Sequence, residues 1–109
     1  MEATRKVKAL FYPMKQGNSP VSAVDREIKT ELKSELERLK IAADDLRVRL
    51  FCGGRVVMYY NETCGKPTIR INDKVYNGPV LFAGADGMGL PADLTASQKK
   101  AIKAVVKRL

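Results

Sequence analysis

The chain has 109 residues, a formal net charge of +8, no histidine and two cysteines. That length supports one hydrophobic core and is too short for two domains. Without histidine it lacks the usual general base, and two thiolates alone cannot complete a structural zinc site, so the sequence argues against an enzyme, a metal and a cofactor. Cys52 and Cys64 read as free thiols of a reducing compartment.

Lys6 to Tyr12 (KVKALFY) reads as a strand with Val7, Ala9 and Phe11 on one face. Together with the short apolar patch ended by Pro13, it reads as a strand and not as a signal peptide, which places the protein in the cytoplasm. The longest uncharged stretch, Val75 to Ala85, contains Pro79 and two glycines and falls far below the ~20 residues of a membrane helix. A loop follows the first strand over Gln16 to Pro20. Val21 to Ile28 is ambiguous between a returning strand and an early helical turn. From Thr30 to about Ile41 the spacing of Leu32, Leu36 and Leu39 predicts an amphipathic helix, with Thr30 as its N-cap and a solvated face of mixed charge.

Leu46 to Cys52 and Arg55 to Asn61 flank Gly53-Gly54, which predicts a hairpin whose turn needs positive φ angles. The implied register pairs Leu50 with Val57, Val48 with Tyr59 and Leu46 with Asn61 on one face, read as buried. Arg47, Arg49, Phe51, Met58 and Tyr60 share the other. Arginines interleaved with aromatics on a sheet can stack bases and pair phosphates, and the same composition suits a protein interface. The competing expectation is that helix 30–41 covers this face, with the arginine stems lying along the rings.

Thr68 to Ile71 and Val80 to Ala83 read as short strands, with turns at Asn72-Asp73 and Asn77-Gly78. Gly84 to Pro91 is glycine-rich, but no Lys-Ser/Thr follows it and Asp86 places a negative charge within it, so it reads as a turn and not a phosphate loop. Asp25 with Glu31-Leu-Lys33 echoes a metal-dependent nuclease pattern, yet Glu31 and Lys33 lie two apart on a helix and diverge. Cys52 beside Arg55 lacks a proton acceptor and reads as inert.

Thr95 to Gln98 forms a capping box. The helix after it is expected to bury Ile102, Val105, Val106 and Leu109 and to expose Lys99, Lys103 and Lys107 along one stripe, flanked by Lys100 and Arg108. Residues 99–109 hold these five cations and no acidic residue. Such a cluster can serve as a phosphate-backbone footprint. A plain solvated face is the alternative, with Lys107 and Arg108 complementing the helix dipole. Lys99 and Lys100, near the positive N-terminal end, do not fit that alternative.

The order of KVKALFYP, VDREI, a hairpin ending YYNE, VYNGPVLFAGADG and LTASQ resembles domain-of-unknown-function family 3846. These are small proteins carried by phages and mobile elements of Firmicutes and gut bacteria. Tyr76 to Gly84 and Leu94 to Gln98 match its pattern best. The resemblance implies a mobile-element origin and an α+β fold, and supplies no activity. The expected fold is therefore α+β: a mostly antiparallel sheet, one internal helix and a basic C-terminal helix. The expected function is non-enzymatic binding of nucleic acid or a nucleic-acid complex through the C-terminal cations, with Arg47, Arg49 and Tyr60 as further candidates. The rival is a counter-defence inhibitor of a host effector protein, which predicts an exposed patch of Phe51, Met58 and Tyr60.

Overall fold

The computed structural model describes residues 6–13, 17, 19–29, 36, 41, 46–61, 66–86 and 91–109, apart from the side chains of Leu46, Arg47, Cys52 and Asn61. Among these, the chain is mostly strand with a closing helix, an α+β fold. The strands are β1 (Lys6–Tyr12), β2 (Val24–Lys29), β3 (Leu46–Phe51), β4 (Val56–Asn61), β5 (Pro67–Ile71), β6 (Lys74–Asn77), β7 (Val80–Ala85), β8 (Pro91–Ala92) and β9 (Val106–Arg108). The closing helix spans Ala96–Val105.

A large antiparallel sheet runs β2-β1-β7-β4-β3, with β8 on the far end of β7, and a small sheet runs β6-β5-β9. The central strands β1, β7 and β4 are buried on both faces. This is why β7 is an unbroken apolar run, VLFAG, instead of an alternating one. One face packs Leu10, Tyr12, Met58, Tyr60, Val80 and Phe82 against the small sheet and Ile102 of the closing helix. The other packs Val7, Ala9, Phe11, Val57, Tyr59 and Leu81 with Ile28, Leu36 and Ile41.

Val7, Ala9 and Phe11 share a face as expected, and the ambiguous second segment is a strand paired to β1. The β3–β4 register is the expected one, from Leu46 opposite Asn61 to Phe51 opposite Val56. Its turn uses Gly53 (φ 67°, ψ 27°) and Gly54 (φ 88°), the left-handed angles of a type I′ turn. Asn72, at φ 54°, bends β5 into β6 in the same left-handed region, which asparagine tolerates. The residues between Gly84 and Pro91 are only partly loop: Gly84 and Ala85 belong to β7 and pair with β8, and 87–90 lie outside the described residues. Gly84 is required there, because a Cβ would stand 2.8 Å from the carbonyl oxygens of Ala92 and Asp93.

Of the expected helix 30–41, Leu36 is helical and buried, Ile41 is buried, and the Ile41 amide donates to the Leu36 carbonyl at 2.9 Å. The remainder, with Glu31 and Lys33, lies outside the described residues. Cys64 and the Cys52 side chain lie outside them as well.

Two expectations are corrected. The hairpin face read as buried is only half so: Val57 and Tyr59 are buried, whereas Val48 is 53% and Leu50 60% exposed. These two sit on β3, the edge of the sheet, where alternation continues but nothing among the described residues lies over it. The second correction is the C-terminus. The helix stops at Val105, and Val106 turns extended (φ −83°, ψ 124°) to start β9 against β5. A β-branched Val105-Val106 pair loses little by leaving a helix, and the β5 edge offers it a ladder. The Leu109 amide closes the arrangement on the Thr68 carbonyl at 3.1 Å. Val105 is consequently 52% exposed, and only Ile102 of the four expected apolar residues is fully buried.

Candidate nucleic-acid interface

The two groups of candidate residues meet different fates. On the hairpin, Met58 and Tyr60 are buried and Phe51 is partly buried, so their face is core. Its cover is the small sheet and the closing helix, not the segment containing Leu36 and Ile41, which packs on the opposite face. Phe51 meets Phe82 edge-on at 6.1 Å, and Tyr60 meets Tyr76 edge-on at 4.7 Å. Arg49 is a tie between the sheets: its Nη1 donates to the Tyr76 hydroxyl, and its guanidinium lies over the Phe51 ring at 5.0 Å. Lys74 adds a cation above Tyr60 and Tyr76, at 5.8 and 5.4 Å from the ring centroids. A base cannot stack on rings already packed edge to face. Arg47 precedes Arg49 by two positions on β3 and lies opposite Tyr60 by register; its side chain lies outside the described residues.

The C-terminal cations are held on two elements, not one stripe. Lys99, Lys100 and Lys103 belong to the closing helix; Lys107 and Arg108 belong to β9. Their helix-dipole explanation fails for the last two, since both lie beyond the helix end. The helix is set by Thr95, whose Oγ accepts from the Gln98 amide at 3.1 Å while Gln98 Oε1 accepts from the Thr95 amide at 2.9 Å. Just upstream, the Lys8 amide donates to Asp93 Oδ1 at 2.7 Å and the Leu94 amide donates to the Lys8 carbonyl at 2.9 Å, so β1 anchors the helix start.

Lys99, which the dipole disfavours, has a separate reason to be there. Its Nζ is 2.9 Å from Asp25 Oδ1 on β2. The hydrogen bond and charge of Lys99, with a smaller contribution from Lys103, hold the Asp25 carboxyl below its ordinary range. Lys100 is exposed.

Strand alternation separates the two cations of β9. Arg108 lies opposite Ile69 and turns towards the large sheet, where its Nη1 donates to Ser22 Oγ at 3.3 Å. With Lys103, Tyr12, Ala23 and Val106 it lines a hollow of about 250 Å³. Burial raises the Tyr12 phenol above its ordinary 10.0, and Arg108 partly offsets the rise. Lys107 lies opposite Arg70 of β5, and both are exposed on the outer face of the small sheet.

Arg70 and the hollow were missed in the sequence. Arg70 sits in a strand that was expected, but nothing in its own segment says that a C-terminal lysine pairs with it. Among the described residues no three acidic or cysteine side chains group to hold a metal ion. No helix among them is long and apolar enough to cross a membrane. Compared with protein families, curated proteins and solved structures, the chain matches none.

Proposed function

We propose that this is a non-enzymatic binding protein of a phage or mobile element, acting in the cytoplasm on the phosphate backbone of a nucleic acid. Its contact surface is the outer face of the small sheet, Lys107 of β9 with Arg70 of β5; Lys100, Lys103 and Arg108 are further cations of the C-terminal unit, Arg108 on the other side of β9. The mobile-element origin rests on the family resemblance of the sequence.

The observation that carries the reading is the Arg70–Lys107 pair. Like charges directly opposite on neighbouring strands are destabilising, and among the described residues neither has an acidic partner. A polyanion laid across the small sheet turns that cost into attraction and releases counterions. Titration against duplex and single-stranded DNA and RNA at two salt concentrations tests it. Binding that weakens steeply with salt is expected; no salt-dependent binding at low salt would overturn it.

A second reading, a counter-defence inhibitor of a host effector protein, gains support from Val48 and Leu50, exposed apolar residues on an edge strand. It loses its original patch, since Met58 and Tyr60 are core. A pull-down from nuclease-treated host lysate favours it if a partner survives and is lost on Leu50→Lys.

A further inference from the structure

We infer that the hollow between β1, the closing helix and β9 is a binding site for a single phosphate group carried by a larger molecule. Three elements bring hydrogen-bond donors to it. The closing helix contributes the Lys103 ammonium, β9 the Arg108 guanidinium and β1 the Tyr12 phenol, with Ala23 and Val106 completing the wall. Among the described residues no acidic one lines it. Among the described residues the acid that Lys103 acts on is Asp25, and its carboxylate is engaged by Lys99 at 2.9 Å.

Two of the three donors, Arg108 and Tyr12, are also held in place before any ligand arrives. Strand pairing opposite Ile69 fixes the backbone of Arg108, and Ser22 accepts from Nη1 at 3.3 Å. A guanidinium has five N–H groups in a fixed fork, so the one spent on Ser22 leaves others for an oxyanion. Tyr12 is wedged edge-on against Phe82 at 5.8 Å and cannot swing away. Like any phenol, it is protonated at neutral pH, as a donor must be.

Size selects the ligand. Sites for whole small molecules run from about 300 to 1,000 Å³, and about 250 Å³ suits a phosphate and not the nucleoside attached to it. The rest of the ligand must lie outside. Two sources share this chemistry, a nucleic-acid strand and a small phosphorylated compound. Only the first rests on the proposed function. The Arg70–Lys107 pair is on the other side of β9 and takes no part.

The test is a titration of the full chain with inorganic phosphate at constant ionic strength, with chloride as the control anion, followed by amide NMR. Phosphate, and not chloride, is expected to shift the amides of Ala23, Lys103 and Arg108. Lys103→Gln and Arg108→Gln should each weaken phosphate binding at least about tenfold, the worth of a charge-assisted hydrogen bond, while Arg55→Gln, at the exposed hairpin turn, leaves it unchanged. Both variant positions are exposed, and melting curves confirm that each variant is folded. An oligonucleotide that displaces phosphate from these amides identifies the strand as the source; one that leaves phosphate bound identifies a small phosphorylated compound. Phosphate shifts that are absent, that fall elsewhere, or that survive both substitutions overturn the site. Phosphate binding with no oligonucleotide binding at all would instead sink the proposed function and leave the hollow standing.

Discussion

Arg49 and Lys107 are both cations on β-strands, one in each of two facing sheets, and the fold treats them in opposite ways. Arg49 points into the seam between the sheets, where the Tyr76 hydroxyl and the Phe51 ring engage it. Lys107 points out of the small sheet beside another cation, Arg70. The first arginine is spent on holding sheets together. The second pair is an electrostatic cost that the fold leaves standing at its surface. A cation counts towards binding only when the architecture has not already used it, and residue type alone cannot make that distinction.

The contrast predicts that substitutions on the hairpin change stability and not binding, while those on the C-terminal unit do the reverse. The largest effect belongs to Met58→Ala. Met58 is fully buried between Val56 and Tyr60, so truncation should cost about 2–5 kcal/mol, read from chemical denaturation. At temperatures where the variant is folded, its affinity for polyanions should be unchanged. Arg49→Gln comes next, at about 1–3 kcal/mol, because it leaves the Tyr76 hydroxyl without its donor in a partly buried seam. The salt dependence of its nucleic-acid binding should match wild type, and a reduced slope would break the contrast.

Titration separates the faces in a smaller way. Burial raises both Tyr12 and Tyr59 above 10.0, but only Tyr12 has a cation, Arg108, pulling it back. A raised phenol pKa favours the protonated form in the folded state. Its stability contribution is therefore complete below pH 10 and is lost as pH climbs through the folded value. Tyrosinate absorbance should show a late-titrating component, and Arg108→Gln should delay Tyr12 further while Tyr59 stays where it is. Tyr12→Phe and Tyr59→Phe assign the components. The smallest stability effect is expected from Leu50→Ser, within about 0.5 kcal/mol, since Leu50 is already exposed.

The sequence made the hairpin readable to the residue, because Gly53-Gly54 admits one register and the flanking runs alternate. It did not reveal which hairpin face is core. Met58, Tyr60, Val57 and Tyr59 are all buried, so β4 carries no polar face to orient it, and the exposed residues of β3 are as apolar as core ones. The cover over Met58 comes from β5, β6 and β9, distant in sequence. Strand β9 was hidden for a different reason: Ile102, Val105, Val106 and Leu109 fit helical spacing, and the Val105-Val106 pair was the only local sign of a change to strand. The Lys99–Asp25 pair spans most of the chain and left no local trace, although the unfavourable place of Lys99 near a helix N-terminus was a hint that it has a partner elsewhere.

The central claim is that Arg70 and Lys107, and not the hairpin arginines, meet the phosphate backbone. The direct measurement is the slope of log affinity against log salt for single-stranded DNA, comparing wild type with the Arg70→Gln/Lys107→Gln double variant. Each lost phosphate contact should flatten the slope by about 0.7, so a drop of about 1.4 is predicted. An unchanged slope in the double variant, with Arg49→Gln lowering it instead, would contradict the account.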